Sequence, residues 1–345
     1  MSVSLVKAQQ KFVKKFGSHA MLRASDTKAL AYIPYGVTST CLSLDLALGR
    51  PGFPAGRLTE VVGETNMGKS SLSYAVLAEC QRQGGVAILL ETEQAFEAWR
   101  LKNLGVDTEA LWLLQPSNVE QMFEMLKYAT LELRLAQKFS GPVVMVVDTI
   151  ANLRSSVEEE GSFDDHFMGA TARAMAQGFR QFTWTLAEHK IVLIFLNQLI
   201  ATMDKWGDKL RSYGGSAIHK NSSARLQVAS QKKDHIKVAN ESVAAWTRAR
   251  LIKNKLGLPW AETRYLMHFE KGIDPIEDLW QAARKLNVVR IRAKGTQFAL
   301  GDKSVPMDRE KFTDFLMDKF KSPTGLRERL VKVAIEQQLL RPYGE

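Results

Sequence analysis

Four apolar runs, residues 58–62, 86–90, 143–147 and 191–196, recur through the first two-thirds of the chain. They are rich in β-branched residues and continuous rather than alternating. That pattern predicts parallel strands buried on both faces by helices. Longer stretches with helical periodicity, 119–138 and 169–189, separate them. The alternation predicts an α/β fold with a mainly parallel sheet. Ahead of this core, Met1 to Phe16 interleaves Lys7, Lys11, Lys14 and Lys15 with apolar residues. This reads as a basic amphipathic helix rather than a signal peptide, because no continuous hydrophobic stretch is present. From about Asp274 the pattern changes to short strands, 287–291 and 297–300, around a Lys294-Gly295 turn. Two terminal helices are predicted there, over 309–320 and, with Thr324 as start signal, 325–340.

Each apolar run ends in polar residues. The first opens onto Gly63-Glu64-Thr65-Asn66-Met67-Gly68-Lys69-Ser70, followed by Ser71 and a helix-forming stretch. These residues satisfy Gly-x-x-x-x-Gly-Lys-Ser/Thr in the strand-to-helix context that the motif requires. Its glycines let the backbone turn around an anion with N–H groups pointing inward. Its lysine reaches the outer phosphates, and its hydroxyl can hold Mg²⁺. The following helix adds its positive end, so binding of a nucleoside triphosphate is expected.

The second run delivers Glu91-Thr92-Glu93-Gln94, the third Asp148-Thr149, and the fourth Asn197-Gln198. Ligands of open α/β sheets bind beyond the carboxyl ends of the strands. The four strands therefore aim candidate chemistry at one place. Asp148 suits the Mg²⁺ shell, with helix capping as the alternative. Glu93 is read as the acceptor that orients an attacking water, with Glu91 as competitor. Gln198 can sense a γ-phosphate through its amide, or serve as an ordinary buried amide.

The formal charge of +10 is unevenly placed: between Lys205 and Lys255, twelve Lys/Arg face three Asp/Glu. Such a block beside a triphosphate site favours a polyanionic partner. Two long segments, 158–169 and 199–215, read as functional loops. The second holds Lys205, Trp206, Lys209, Arg211, Tyr213 and the pair Gly214-Gly215. Cations interleaved with aromatics suit single-stranded nucleic acid, although a solvated loop has the same composition. Lys253 and Lys255 flank one residue at the end of a strand-like stretch. In a monomer they form a basic edge; in an assembly they can supply charge to a neighbour's triphosphate, as arginine fingers do. Cys41 and Cys80 are too few for a disulfide framework, which points to a reducing cytoplasm. No apolar run approaches the ~20 residues of a membrane span.

With these residues in view, the chain resembles the bacterial RecA family of DNA strand-exchange recombinases over most of its length. The resemblance rests on Thr40 to Leu48, Gly56-Arg57-Leu58, the phosphate loop, Leu104-Gly105-Val106-Asp107 and Met168 to Arg173. It rests further on Leu193 to Gln198, Gly214-Gly215-Ser216-Ala217, and Lys253-Asn254-Lys255 followed by Pro259. It implies a RecA-like ATPase core using ATP and Mg²⁺, with residues 63–71 and Asp148 at the nucleotide. Glu93 is implied as the water-activating glutamate and Gln198 as γ-phosphate sensor. Lys253 and Lys255 are implied to reach the next subunit's ATP. Met168, Gly169, Arg173 and Arg180 match DNA-contacting positions in or after the first loop, and Gly214, Gly215 and Ser216 match those of the second. Arg23 matches an arm residue used in subunit contacts, and Phe269 a place beside the adenine.

Several positions depart from the family. Arg100, with Trp99 beside it, aligns where the family stacks an aromatic on the base. The early second loop lacks the family's basic residues, for which Lys205, Lys209 and Arg211 can compensate, with Met203 as an apolar wedge between bases. His219 and Lys220 replace a lysine and a phenylalanine that couple the ATP and DNA sites. The chain closes Arg341-Pro342-Tyr343-Gly344-Glu345 in place of an acidic tail, and easier loading onto duplex DNA is expected.

The resemblance divides the chain into an oligomerisation arm (1–35), an ATPase core (36–273) and a small C-terminal α/β domain (274–345). The implied activity is that of a DNA-dependent ATPase forming helical filaments on single-stranded DNA and pairing it with homologous duplex. Single-strand-binding and loading proteins are implied partners. The alternatives are a RecA-like accessory ATPase of repair or translesion synthesis without strand exchange, and a ring-forming ATPase on the same core.

Overall fold

The computed structural model describes residues 3–17, 21–22, 31–93, 97–160, 169–201, 210–292, 295–299, 304–306 and 323–344. The strands are β1 (Gly36–Val37), β2 (Phe53–Pro54), β3 (Arg57–Gly63), β4 (Val86–Glu91), β5 (Leu111–Leu114), β6 (Val143–Asp148), β7 (Val192–Ala201) and β8 (Leu210–Ser212). They continue with β9 (Ser222–Ala229), β10 (His235–Val238), β11 (Glu241–Asn254), β12 (Glu262–His268), β13 (Gly272–Ile273), β14 (Val289–Arg292), β15 (Gly295–Ala299) and β16 (Ser304–Pro306). The helices are α1 (Val3–Phe16), α2 (Leu42–Leu48), α3 (Lys69–Arg82), α4 (Ala98–Asn103), α5 (Val119–Leu131), α6 (Ser156–Glu160), α7 (Ala170–His189), α8 (Ser216–Asn221), α9 (Pro275–Lys285) and α10 (Pro323–Glu336).

The apolar runs form the middle of one large sheet, ordered β13-β12-β11-β9-β3-β7-β6-β4-β5. From β9 to β5 the neighbours are parallel. Both faces are covered, as the unbroken hydrophobicity demands. Val144 and Val146 of β6 pack with α3, whereas Val143, Met145 and Val147 pack with α5 and α7. Period-2 alternation thus divides one run between two cores.

The sheet also extends in a way the apolar runs do not announce: β9 adds to it in parallel, and β11, β12 and β13 continue it antiparallel. Strands β9 and β11 alternate in burial, which weakens the signal of a buried run.

Several boundaries differ from expectation: the strands expected over 287–291 and 297–300 are β14 and β15, and Asn287 takes a left-handed φ of 55° ahead of the first. The 119–138 stretch is α5 followed by a π-helical turn, Glu132–Ala136. The segment expected as a loop from 158 begins inside α6. The segment expected as a loop from 199 continues β7 to Ala201, which pairs antiparallel with β8. The last helix stops at Glu336 rather than 340, and Gln338 then adopts a left-handed φ of 58°. The helix expected over 309–320 lies outside the described residues, and so does Arg23. Strands β14, β15 and β16 form a separate antiparallel sheet. Among the described residues no helix is long and apolar enough to cross a membrane.

Candidate nucleotide site and its flanking loops

Strand β3 delivers the phosphate loop, whose glycines answer to different demands. A Cβ on Gly63 would lie 2.4 Å from the Val228 carbonyl oxygen, so close passage of β9 excludes any side chain. Gly68 takes φ 81° to turn the backbone into α3, a conformation that costs glycine little. Lys69 is buried, and its Nζ donates to the carbonyls of Gly63 (3.0 Å) and Glu64 (2.7 Å). Burial lowers the Lys69 pKa, while Asp148 and Glu93 pull it back up.

The neighbouring strand ends converge as predicted. Gln198 lies opposite Gly63 in the β3–β7 register, and Glu91 lies opposite Asp148 in the β4–β6 register. Asp148 is buried and accepts a hydrogen bond from Tyr74 Oη at 3.0 Å. Burial raises its pKa, opposed by hydrogen bonds from Ser70 and Tyr74 and by Lys69. Glu91 is buried and accepts from the Glu93 backbone N–H at 2.7 Å, which leaves Glu93 the exposed acid of the two. Loss of solvent, then Asp148 and Glu91, push the Glu93 pKa up, and Lys69 opposes them. Arg100 Nη2 donates to Ser71 Oγ at 3.3 Å, so α4 rests against the start of α3.

A hydrogen bond between Ser70 and Asp148 puts two oxygen donors side by side, where they could hold a hard divalent cation. Among the described residues no group of three or more His, Cys, Asp or Glu forms an all-protein metal cage. A pair of this kind fits a cation that keeps its waters and shares phosphate oxygens.

Contacts from Tyr74, Ser230 and Met267, none of which carries a motif signal, back the loop. Tyr74 lies one helical turn beyond Ser70, where i, i+4 spacing aligns it with the site. Met67 Sδ receives the Ser230 N–H at 3.2 Å. Met267 of β12 stands 3.5 Å from where a Cβ on Gly68 would be. Phe269, just past β12, makes an edge contact with His235 at 5.7 Å between ring centroids.

The lysine pair is not brought to the phosphate loop of its own chain. Lys253 lies opposite Arg225 on β9, which lies opposite Glu60 on β3. That is two strands across and three residues back from Gly63, or ~10 Å along the strand direction alone. A register shift between Leu251 and Lys253 turns this end of β11. Lys253 Nζ donates to the His219 carbonyl at the end of α8 and to that of Lys220 at 3.3 Å. Lys255 borders a cavity of about 500 Å³ that Arg57 and Lys220 also line.

Of the loop residues, Gly169 caps α7, and Arg173 and Arg180 are exposed on that helix, two turns apart on one face. Gly214 and Gly215 take left-handed φ values just before α8, and Ser216 opens that helix. Arg211 lies on β8, paired with Ile200. Gln94, Met168, Met203, Lys205, Trp206 and Lys209 lie outside the described residues.

The fold and site together define a P-loop α/β protein of the RecA-like class. A family model described as the RecA N-terminal domain matches residues 3–274. The chain is 35% identical over 334 residues to the protein RecA of Thermus aquaticus, covering 96% of this chain and 93% of that one. It is 34% identical to protein RecA of Thermus thermophilus at the same coverage. With protein RecA of Citrifermentans bemidjiense it shares 32% identity over 331 residues, covering 94% of this chain and 93% of the relative. The chain belongs to the RecA family. Its family is one of DNA recombination and repair proteins that bind ATP and DNA.

Proposed function

We propose that this chain is an ATP-dependent recombinase that polymerises as a helical filament on single-stranded DNA and exchanges strands with homologous duplex. The observation that carries this reading is the path of β7. Gln198 stands beside Gly63 of the phosphate loop, and within three residues the same strand enters the hairpin with β8. One strand thus joins the place where a γ-phosphate would be read to the base of the second loop.

In this reading residues 63–71 hold the phosphates of ATP, Lys69 turns from its carbonyl partners toward their charge, and Ser70 and Asp148 hold Mg²⁺, Asp148 through water. The ion, when bound, neutralises charge on the phosphate oxygens. Glu93 orients the attacking water, Gln198 senses the γ-phosphate, and Arg100 and Phe269 flank the adenine. Lys253 and Lys255 serve a neighbouring copy's site, since they lie away from their own. Residues 1–35 act as the arm between copies, 36–273 as the ATPase core and 274–345 as a C-terminal unit. Met168, Gly169, Arg173, Arg180, Met203, Lys205, Arg211 and Gly214–Ser216 line the DNA path. There the protein contacts phosphates, and base pairing between strands supplies specificity.

ATP hydrolysis measured with and without single-stranded DNA, alongside negative-stain microscopy, tests the proposal. DNA-stimulated turnover and helical filaments are expected. Closed rings, or hydrolysis indifferent to DNA, would overturn it.

A further inference from the structure

Glu60 is fully buried in β3, three residues before Gly63, on a strand whose neighbours Leu58 and Val62 are apolar. An apolar side chain would fill this position without the cost of desolvating a carboxylate. A buried acid must therefore be explained by its partners.

Those partners reach both ends of the proposed coupling. Asn197 Nδ2 donates to Glu60 Oε1 at 2.8 Å, and Arg225 Nε donates to Glu60 Oε2 in an ion pair. Asn197, also fully buried, grips two backbones at once. Its Oδ1 accepts from the Gln198 N–H (2.8 Å) and the Tyr213 N–H (3.2 Å), and its Nδ2 donates to the Tyr213 carbonyl (3.0 Å). A side-chain amide thus ties β7 at Gln198 to Tyr213, the residue that leaves β8. On the other side, Arg225 Nη2 donates to Ser212 Oγ (3.3 Å) and to His219 Nε2 (2.9 Å). Guanidinium groups only donate, so His219 Nε2 acts here as acceptor. The Ser212 hydroxyl also lies within hydrogen-bond distance of that nitrogen. His219, which departs from the family's lysine, is thereby wired to the base of the loop.

We propose that Glu60 is a positioning residue that couples nucleotide binding to the second loop. It holds the phosphate-loop strand, the backbone at Gln198, the stem residues Ser212 and Tyr213, and helix α8 as one body. The inference rests on the reading above, in which Gln198 senses the γ-phosphate and 199–215 meets DNA. Glu60 touches no reacting group. Its effect runs through Asn197 and Arg225, in a buried network where each member constrains the next.

The test uses the full chain with Glu60→Gln and, separately, Arg225→Lys. The first keeps an acceptor for Asn197 but removes the charge that Arg225 pairs with. The second keeps the charge pair but removes the arm to Ser212 and His219. Binding of a fluorescent oligothymidylate is measured with and without a non-hydrolysable ATP analogue. Affinity for a fluorescent ATP analogue and amide hydrogen exchange at Gln198 and Tyr213 are measured alongside. In the unaltered chain the nucleotide should tighten DNA binding. In both variants that tightening should shrink by about tenfold, exchange at Tyr213 should accelerate, and nucleotide affinity should stay within about threefold of the unaltered chain. Arg225→Lys decides alone if Glu60→Gln fails to fold. Undiminished tightening in a folded variant overturns the role of Glu60 and leaves the recombinase reading standing. An unaltered chain whose DNA affinity ignores the nucleotide overturns both.

Discussion

Tyr74 places a phenol against Asp148 from the helix that the phosphate loop itself begins. Its hydroxyl donates to Oδ2 at 3.0 Å, and the ring is buried. Burial and the neighbouring carboxylate hold the phenol well above its ordinary range, so it stays a donor. A carboxylate that accepts a fixed hydrogen bond presents its other oxygen in a fixed direction. Partners of this kind around metal-binding groups are worth roughly 10–100-fold in metal affinity. Tyr74→Phe keeps the ring and removes the donor. Its global stability should fall by about 1 kcal/mol, while the Mg²⁺ concentration for half-maximal hydrolysis should rise several-fold. Nucleotide binding without Mg²⁺ should not change. An unmoved Mg²⁺ dependence would show that Asp148 is oriented by other contacts.

At the scale of elements, α2 is held from the C-terminal part of the chain. Its own N-cap residue, Cys41, makes no side-chain cap. Asp278 of α9 supplies one, accepting from the Leu42 N–H (2.6 Å), the Ser43 N–H (3.0 Å) and the Cys41 thiol (3.2 Å). Arg327 of α10 then reaches Asp45 Oδ2 at 2.8 Å and Thr38 Oγ1 at 3.0 Å. Burial raises the Asp45 pKa from 3.8 to about 7, against the pull of Arg327. A carboxyl raised on folding stabilises the fold below the unfolded value, and that contribution is lost as pH rises through the folded value. Arg327→Ala leaves Asp45 without its guanidinium and moves the folded value higher. The cost should be about 3–5 kcal/mol at about pH 8 and smaller at about pH 5.5, where Asp45 takes up a proton. Urea unfolding at the two values checks this. An equal loss at both would mean that Asp45 does not titrate with folding.

Across the whole molecule, the residues proposed to serve a triphosphate are divided between two places. Glu91, Asp148, Gln198 and the phosphate loop gather at one end of the sheet, and the lysine pair stands two strands away. In a helical assembly each copy would complete its neighbour's site, an interface of the head-to-tail type. Lys253→Ala should lower hydrolysis by about 10²-fold or more while ATP binding holds. Lys69→Ala, which damages the phosphate loop, should be as inactive. Mixed in equal parts, the two variants should recover activity at about a quarter of the interfaces, where an intact loop meets an intact lysine. Hydrolysis that stays absent on mixing, with filaments present, would reject the shared site.

The local signals were sufficient for much of this. The phosphate loop is a contiguous segment, and the four apolar runs recorded burial on both faces, so the parallel centre and its convergent strand ends were legible from Gly63, Glu91, Asp148 and Gln198. The antiparallel half was not, because β9 and β11 alternate in burial and resemble ordinary amphipathic strands. Nor was the stem of the second loop, where residues 199–201 gain their strand character from pairing with 210–212. Lys253 and Lys255 were visible as a pair, but their distance from their own phosphate loop follows from strand order. Glu60, inside the run 58–62, carried no signal of its role along the chain. Its partners stand 137 and 165 residues away, and only the register of β3 between β7 and β9 brings them together. What depends on neighbours along the chain was determined by the sequence itself. Which buried charge finds which distant partner was decided by tertiary structure, because that is set by how the strands align.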